Sequence, residues 1–219
     1  MAEDFQHPVV LICGGPAPDE KAIEYIPTPS TLIAVDSGLD HARSLQLKPD
    51  LLIGDLDSIS TSGLQWADQQ GIEVKEFPSD KDKSDFELAL DYARGVSNRL
   101  LAIGSDSGRV DQLFGMIASL ASTAPYFESC HALIGKTYCT FTSSGANIYR
   151  KNGATVSIFA MGGIADGVSL QGFRWELSEA TFLAGSSLGL SNELNEGIGI
   201  ISVEKGTLVA IQPDSMQGH

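Results

Sequence analysis

As far as about Gly135, short apolar runs alternate with segments of helical period, and this alternation limits the possible folds more than composition does. Strand-type runs fall at residues 9–13, 32–35, 51–53, 72–77, 100–103 and 132–134, with helical patterns near residues 19–25, 38–47, 63–70, 86–96 and 112–121. Such a strand–helix rhythm implies a parallel sheet covered by helices. Boundary signals agree. Ser84 and Glu87 have the spacing of a capping box, ahead of a buried stripe formed by Phe86, Ala89, Leu90 and Ala93. Gly71 can end the helix before it, and Pro49 closely follows another.

The character changes after about Gly135. Short alternating runs follow at residues 137–142, 146–150, 155–160, 173–177, 180–183, 198–203 and 207–211, punctuated by Gly and Ser. Regularly spaced short strands suggest a β-sandwich or barrel. The reading is therefore an α/β chain: an N-terminal mostly parallel sheet over residues 1–136, then an all-β domain over residues 137–219, with a loose tail from Pro213.

The formal net charge is −14, and residues 1–115 hold 20 of the 28 acids but only 9 of the 14 bases. That balance argues against a nucleic-acid partner, which needs basic surface to replace counterions. An acidic cleft attracts a cationic small molecule, and it repels a polyphosphate unless metal ions bridge the two. No apolar run is long enough to span a bilayer, and Met1-Ala2-Glu3-Asp4 lacks the pattern of a secretion signal, so a cytoplasmic protein is expected. Cys13, Cys130 and Cys139 are widely spaced and fit buried or free thiols.

Acidic residues recur just beyond the apolar runs. In Leu51-Leu52-Ile53-Gly54-Asp55-Leu56-Asp57-Ser58, an extended path would point Asp55 and Asp57 the same way, beside a hard cation such as Mg²⁺. The alternative is one Asp capping a turn and one in solvent. Asp36 follows residues 32–35, Asp80, Asp82 and Asp85 precede a helical segment, and Asp106, Arg109 and Asp111 follow residues 100–103. In an open parallel sheet those ends share the edge where ligands bind. Asp85 can equally be a helix-start anion, Lys81 and Lys83 can touch phosphates or neutralise the acids, and Arg109 can fork onto a phosphate or pair with a nearby Asp. Neither a Gly-x-x-x-x-Gly-Lys-Ser/Thr loop nor a Gly-x-Gly-x-x-Gly motif is present; Gly14-Gly15 could let backbone approach a phosphate, but a plain turn is the simpler reading. His7, His41, His131 and His219 read as ordinary surface or helix residues.

Six motifs in order carry a resemblance: Val35-Asp36-Ser37-Gly38; Pro49-Asp50 leading to Gly54-Asp55-Leu56-Asp57-Ser58; Asp80-Lys81-Asp82-Lys83-Ser84-Asp85; Gly108-Arg109-Val110-Asp111-Gln112; Gly172-Phe173-Arg174-Trp175-Glu176-Leu177; and Leu190-Ser191-Asn192. Together they resemble the thiamine pyrophosphokinase family over nearly the whole chain. The resemblance implies a Rossmann-like α/β nucleotide domain, a β-sandwich domain, and a homodimer with thiamine bound where subunits meet. It implies Mg²⁺-dependent transfer of a pyrophosphoryl group from ATP to the thiamine hydroxyl, releasing AMP. By position it puts Asp36, Asp55, Asp57, Asp85, Arg109 and Asp111 at the catalytic centre, with Asp55, Asp57 and Asp85 on the metal. Lys81, Ser84, Arg109 and Asp111 would hold ATP, and Ser191, Asn192 and Trp175 thiamine. Ser37 and Ser107 stand where the family often has glycine, Ser84 where threonine is frequent, and Gln112 where many members carry histidine. The alternatives are a pyrophosphokinase for another alcohol, such as a hydroxymethylpterin, and a non-catalytic thiamine sensor.

Overall fold

The structure is a computed structural model, and it describes residues 7–80 and 82–216. The chain divides into two compact units. The first runs to Val110 and adds Ala132–Gly135; the second holds Asp111–His131 and the chain from Lys136 onward.

In the first unit, β1 (Val9–Ile12), β2 (Thr31–Val35), β3 (Leu51–Gly54), β4 (Glu73–Glu76) and β5 (Arg99–Gly104) are parallel and lie in the order β4-β3-β2-β1-β5. All four residues of β1 are fully buried, as a strand covered on both faces must be. The edge strand β4 instead carries Glu73, Lys75 and Glu76, charges that discourage another strand from adding there.

Helices α1 (Gly38–Ser44), α2 (Thr61–Gln70) and α3 (Asp85–Val96) belong to this unit. Helix α1 packs on β1 and β2, and α3 on β1, β2 and β3. Gly38 is required at the first of these contacts, because a Cβ there would strike the Ile12 carbonyl. Ala67 of α2 joins Ala34, Leu39, Leu52, Ile59 and Ile72 in one buried cluster. Capping side chains and a left-handed glycine bound two of these helices. Ser60 caps α2, Gly71 ends it at φ 64°, and Ser84 with Glu87 forms the full capping box of α3. The expected helix near residues 19–25 is instead a 3₁₀ segment, Glu20–Tyr25, capped by Asp19. Pro18 and Pro27 flank it, and Ile26, the residue before Pro27, is extended, so the segment cannot continue past Tyr25.

The second unit contains nearly all of α4 (Val110–Thr123), and β6 (Ser129–Ile134) crosses the division between units. Its strands are β7 (Thr137–Thr142), β8 (Gly145–Tyr149), β9 (Thr155–Gln171), β10 (Leu177–Phe182), β11 (Gly189–Glu193), β12 (Ile198–Ser202) and β13 (Lys205–Gln212). They are antiparallel in the order β7-β13-β9-β12-β8, and β10 and β11 also pair with β9.

The expected strand at residues 155–160 continues through Gly162 and Gly163 for 17 residues. Thr155–Ile158 pairs with β11 and Ser157–Met161 with β13, whereas the part from Ala165 pairs with β10 and the part from Ser169 with β12. Left-handed steps at Gly162 and Gly167, φ 73° and 65°, lie where partners change. Two other expectations shift. Of the run 173–177 only Leu177 lies in a strand, as the first residue of β10; Phe173 makes a single bridge to Leu194, and side-chain groups satisfy much of the neighbouring backbone. Strand β11 was not expected, because its polar centre lacks an alternating apolar face.

Ile148, Val156, Ile158, Val168, Leu170, Phe173, Phe182 and Leu208 lead the buried core of this unit. Gly199 and Gly189 lie directly against the Phe173 and Phe182 rings, where a Cβ would collide. His131 is not a surface or helix residue. It lies on β6 beside the Thr140 hydroxyl, and burial lowers its pKa to about 4. The three cysteines are buried and free, and burial pushes their thiols up to about 12. Among the described residues, no helix is long and apolar enough to cross a membrane.

Phe182 is fully buried. Phe182→Ala should lower unfolding stability by about 3–5 kcal/mol, read as a reduced midpoint in chemical denaturation.

Candidate functional site

The clearest constellation lies at the C-terminal ends of β2 and β3. Asp36 follows β2 directly, and Asp55 and Asp57 follow β3. One carboxylate oxygen from each lies within 4.8 Å of the others. The route to this arrangement differs from the extended path expected from sequence. Strand β3 stops at Gly54, and Leu56 takes φ 66°, a left-handed conformation unusual for leucine. The turn closes through Asp57 N–H donating to Asp55 Oδ1 at 3.3 Å and Ile59 N–H donating to the Leu56 carbonyl at 3.4 Å. Leu56 also packs against the buried cluster of α1 and α2, which offsets the strain. A turn, rather than a pleat, brings Asp55 and Asp57 together. Asp36 is left-handed too, at φ 50°, and Gly54 lies against its Cα, where any side chain would intrude.

These carboxylates repel. The Asp55 carboxyl holds the Asp57 carboxyl above its ordinary 3.8, through a shared hydrogen bond and then its charge; desolvation and the charges of Asp36 and Asp85 add to the shift. Ser58, which sequence reasoning left without a role, donates its hydroxyl to Asp36 Oδ2 at 2.5 Å. Asp36 Oδ1 is buried with no hydrogen-bond partner among the described residues. An orphaned buried carboxylate oxygen facing two further carboxylates suits a hard, oxygen-ligated divalent cation, whose ligand oxygens stand up to ~4 Å apart. The residues present therefore fit Mg²⁺.

Around this centre, several polar side chains have partners within the chain. Asp50 Oδ2 accepts from Leu32 N–H at 2.9 Å and so fastens the start of β3 to β2. Asp40 accepts from both the amide and the hydroxyl of Ser60, fixing the α2 cap. Ser84 uses its hydroxyl within the capping box with Glu87. Lys83 is ion-paired to Asp91 at 2.5 Å. Lys81 lies outside the described residues. Asp85 opens α3, and its charge reaches Asp57. Arg109 is exposed in the loop after β5, whose Gly108 at φ 90° lies against Pro16. Asp111 is exposed on the first turn of α4, in the second unit. The Gly14-Gly15 turn is held on both sides: Gly15 N–H donates to Ser37 Oγ at 3.3 Å, and His41 Nε2 sits 2.8 Å from the Gly15 carbonyl. His41 thus has a partner that no local sequence pattern showed.

In the second unit, Trp175, Ser191 and Asn192 come together. The Asn192 side chain bonds the Trp175 backbone at both its N–H and its carbonyl, at 3.1 and 2.8 Å. Ser191 is exposed beside it at φ 56°, with its N–H bonded to Ser157 Oγ. The Arg174 guanidinium stands 4.7 Å over the Trp175 ring.

Two family models match the chain: "Thiamin pyrophosphokinase, catalytic domain" over residues 23–134 and "Thiamin pyrophosphokinase, vitamin B1 binding domain" over residues 146–208. The thiamine pyrophosphokinase of Bacillus subtilis (strain 168) is 26% identical over 208 residues, covering 92% of this chain and 96% of the relative. Among solved structures, thiamin pyrophosphokinase from Geobacillus thermodenitrificans superposes with a TM-score of 0.79 at 25% identity, covering 94% of this chain and 96% of its own. The fold extends to the Candida albicans enzyme, with a TM-score of 0.78 at 14% identity and 95% and 89% coverage.

The raised carboxyl of Asp57 fixes the sign of a pH effect. The folded chain holds this proton more tightly than the unfolded chain, so the contribution to stability is full below 3.8 and is lost as pH rises through the raised folded value. At neutral pH with chelator present, Asp57→Asn should melt higher than the parent, and the difference should vanish in acid. Saturating Mg²⁺ should then raise the melting temperature of the parent more than that of the variant.

Proposed function

The chain belongs to the thiamin pyrophosphokinase family of enzymes, and on that premise we propose that it transfers the terminal pyrophosphoryl group of ATP to the hydroxyl of thiamine, giving thiamine diphosphate and AMP. The observation that carries the proposal is the convergence of Asp36, Asp55 and Asp57 beside the orphaned Asp36 oxygen. On this reading residues 1–136 are a Rossmann-like ATP- and metal-binding catalytic domain, and residues 137–219 a β-sandwich that binds thiamine and dimerises. The parallel order β4-β3-β2-β1-β5 supports the Rossmann-like reading of the first part, and the two sets of strands paired along β9 support the sandwich reading of the second. Exposed Trp175, Leu183, Leu188 and Leu190 offer apolar surface for a homodimer contact. Three buried, unpaired thiols suit a reducing cytoplasm.

Asp55, Asp57 and Asp36 would hold Mg²⁺, with Asp85 adding negative charge at the start of α3. When bound, the ion supplies neutralisation of the polyphosphate and of charge on the leaving oxygen. The chain's own groups do the rest. Ser58 fixes the Asp36 carboxylate through its hydroxyl. The Gly14-Gly15 turn, tied by Ser37 and His41, lies beside the point where strand order reverses between β1 and β5, the position open α/β sheets use for ligands. Arg109 supplies a guanidinium fork for phosphate, Lys81 a further cation, and Asp111 an acid on the first turn of α4. The Ser84 hydroxyl contributes through the α3 cap it already makes. Thiamine's thiazolium is a permanent cation, which the Trp175 ring can stack on and the acidic surface attracts, with Ser191 exposed next to it. Most of the rate then comes from positioning and electrostatics.

Incubation with ATP, Mg²⁺ and thiamine, followed by product separation, tests this directly. AMP with thiamine diphosphate is the expected result; ADP with thiamine monophosphate would refute pyrophosphoryl transfer, and AMP released only with a pterin alcohol would move the acceptor. Asp55→Asn should reduce turnover at least a hundredfold, an order of magnitude set by loss of charge stabilisation. Its circular dichroism should stay that of the parent.

A further inference from the structure

Asn192 is 3% exposed, so its amide offers no surface to a ligand. Its bonding capacity is directed elsewhere. Oδ1 accepts from Trp175 N–H at 3.1 Å and from Glu193 N–H at 2.9 Å, and Nδ2 donates to the Trp175 carbonyl at 2.8 Å. Both lone-pair positions of the oxygen are therefore taken. Trp175, 17 residues away, is 52% exposed. A large aromatic ring left in water on a segment outside any strand would ordinarily be mobile, yet the backbone that carries this one is fixed from several directions. Arg174 N–H donates to the Glu193 carbonyl at 2.8 Å, and its guanidinium bonds the Glu193 carboxylate at 3.1 and 3.3 Å while standing over the ring. Asn195 Nδ2 donates to the Phe173 carbonyl at 3.1 Å, and Asn195 N–H to the Gly172 carbonyl at 2.9 Å.

From this geometry we infer that Asn192 is a positioning residue for the cationic acceptor: it never touches the ligand, and acts only by clamping the backbone of Trp175 so that the ring is presented in one place. The inference rests on the reading above that Trp175 stacks on thiamine. Prior fixation of the ring spares the ordering entropy that a free tryptophan would lose on binding. It also replaces the ligand-lining role that the family resemblance implies for Asn192.

The test is a double-mutant cycle on the full-length enzyme, with thiamine as the probe and KM and kcat measured for thiamine and for ATP. Asn192→Ala should raise the KM for thiamine roughly tenfold, as expected for loss of the two hydrogen bonds that hold the Trp175 backbone, while kcat and the KM for ATP stay near the parent's. Trp175→Ala should raise the same KM. In the Trp175→Ala background, Asn192→Ala should add nothing further. Multiplying effects would mean that Asn192 acts on the ligand by another route and would overturn the inference, as would an unchanged thiamine KM in Asn192→Ala alone. If Trp175→Ala leaves thiamine KM unchanged while Asn192→Ala raises it, the stacking assignment fails and the inference falls with it. Should Asn192→Ala not fold, Asn192→Asp takes its place in the cycle. It keeps an oxygen to accept from the Trp175 and Glu193 N–H groups but sets a carboxylate oxygen against the Trp175 carbonyl, so it should also raise the thiamine KM, and that rise should again disappear without Trp175.

Discussion

Mutual repulsion among Asp36, Asp55 and Asp57 is the constraint around which the first unit is organised. Three carboxylates with oxygens inside 4.8 Å do not gather unless the backbone holds them. Here the backbone does so through two left-handed non-glycine residues, Asp36 and Leu56, each at the end of a buried strand. Leu56 tolerates that conformation because its side chain reaches the apolar cluster beneath α1 and α2. The strands can supply this restraint because β1, β2 and β3 are almost wholly buried and their order is fixed by parallel pairing. Burial of the sheet thus fixes the turns that hold the acids together.

Much of the surrounding acidity has a different purpose. Asp40 and Asp50 both bond backbone N–H groups, and Asp91 draws in Lys83. Seen as composition, these residues and the convergent trio are indistinguishable. What separates them is whether a carboxylate oxygen is satisfied by the protein. The buried Oδ1 of Asp36 is not, among the described residues.

The sequence made some of this legible for local reasons. Asp55 and Asp57 share one short segment after an apolar run, and the capping box of Ser84 and Glu87 is a three-residue pattern, so both could be read without tertiary knowledge. The left-handed turn at Leu56 could not, since leucine has no intrinsic tendency toward positive φ and only packing imposes it. The 3₁₀ segment at Glu20–Tyr25 could have been anticipated from its flanking prolines. The passage of β9 through Gly162 and Gly163 was hidden because glycine ordinarily marks an interruption. The Asn192 contact was invisible for a different reason: its partner is a backbone 17 residues distant, and backbone atoms leave no mark in a sequence.

The length of β9 has a mechanical consequence. One covalent strand serves two sets of neighbours, β11 and most of β13 near its start and β10 and β12 near its end, with Lys205 of β13 meeting it again at Asp166. A one-residue slip at either end would turn the inward side chains of that end outward. Compensating for such a slip would require the other end to move as well, unless the glycines between them absorbed the offset. The two sets of strands therefore share a single registration, and the segment Met161–Gly167 acts as the splice that keeps them in step.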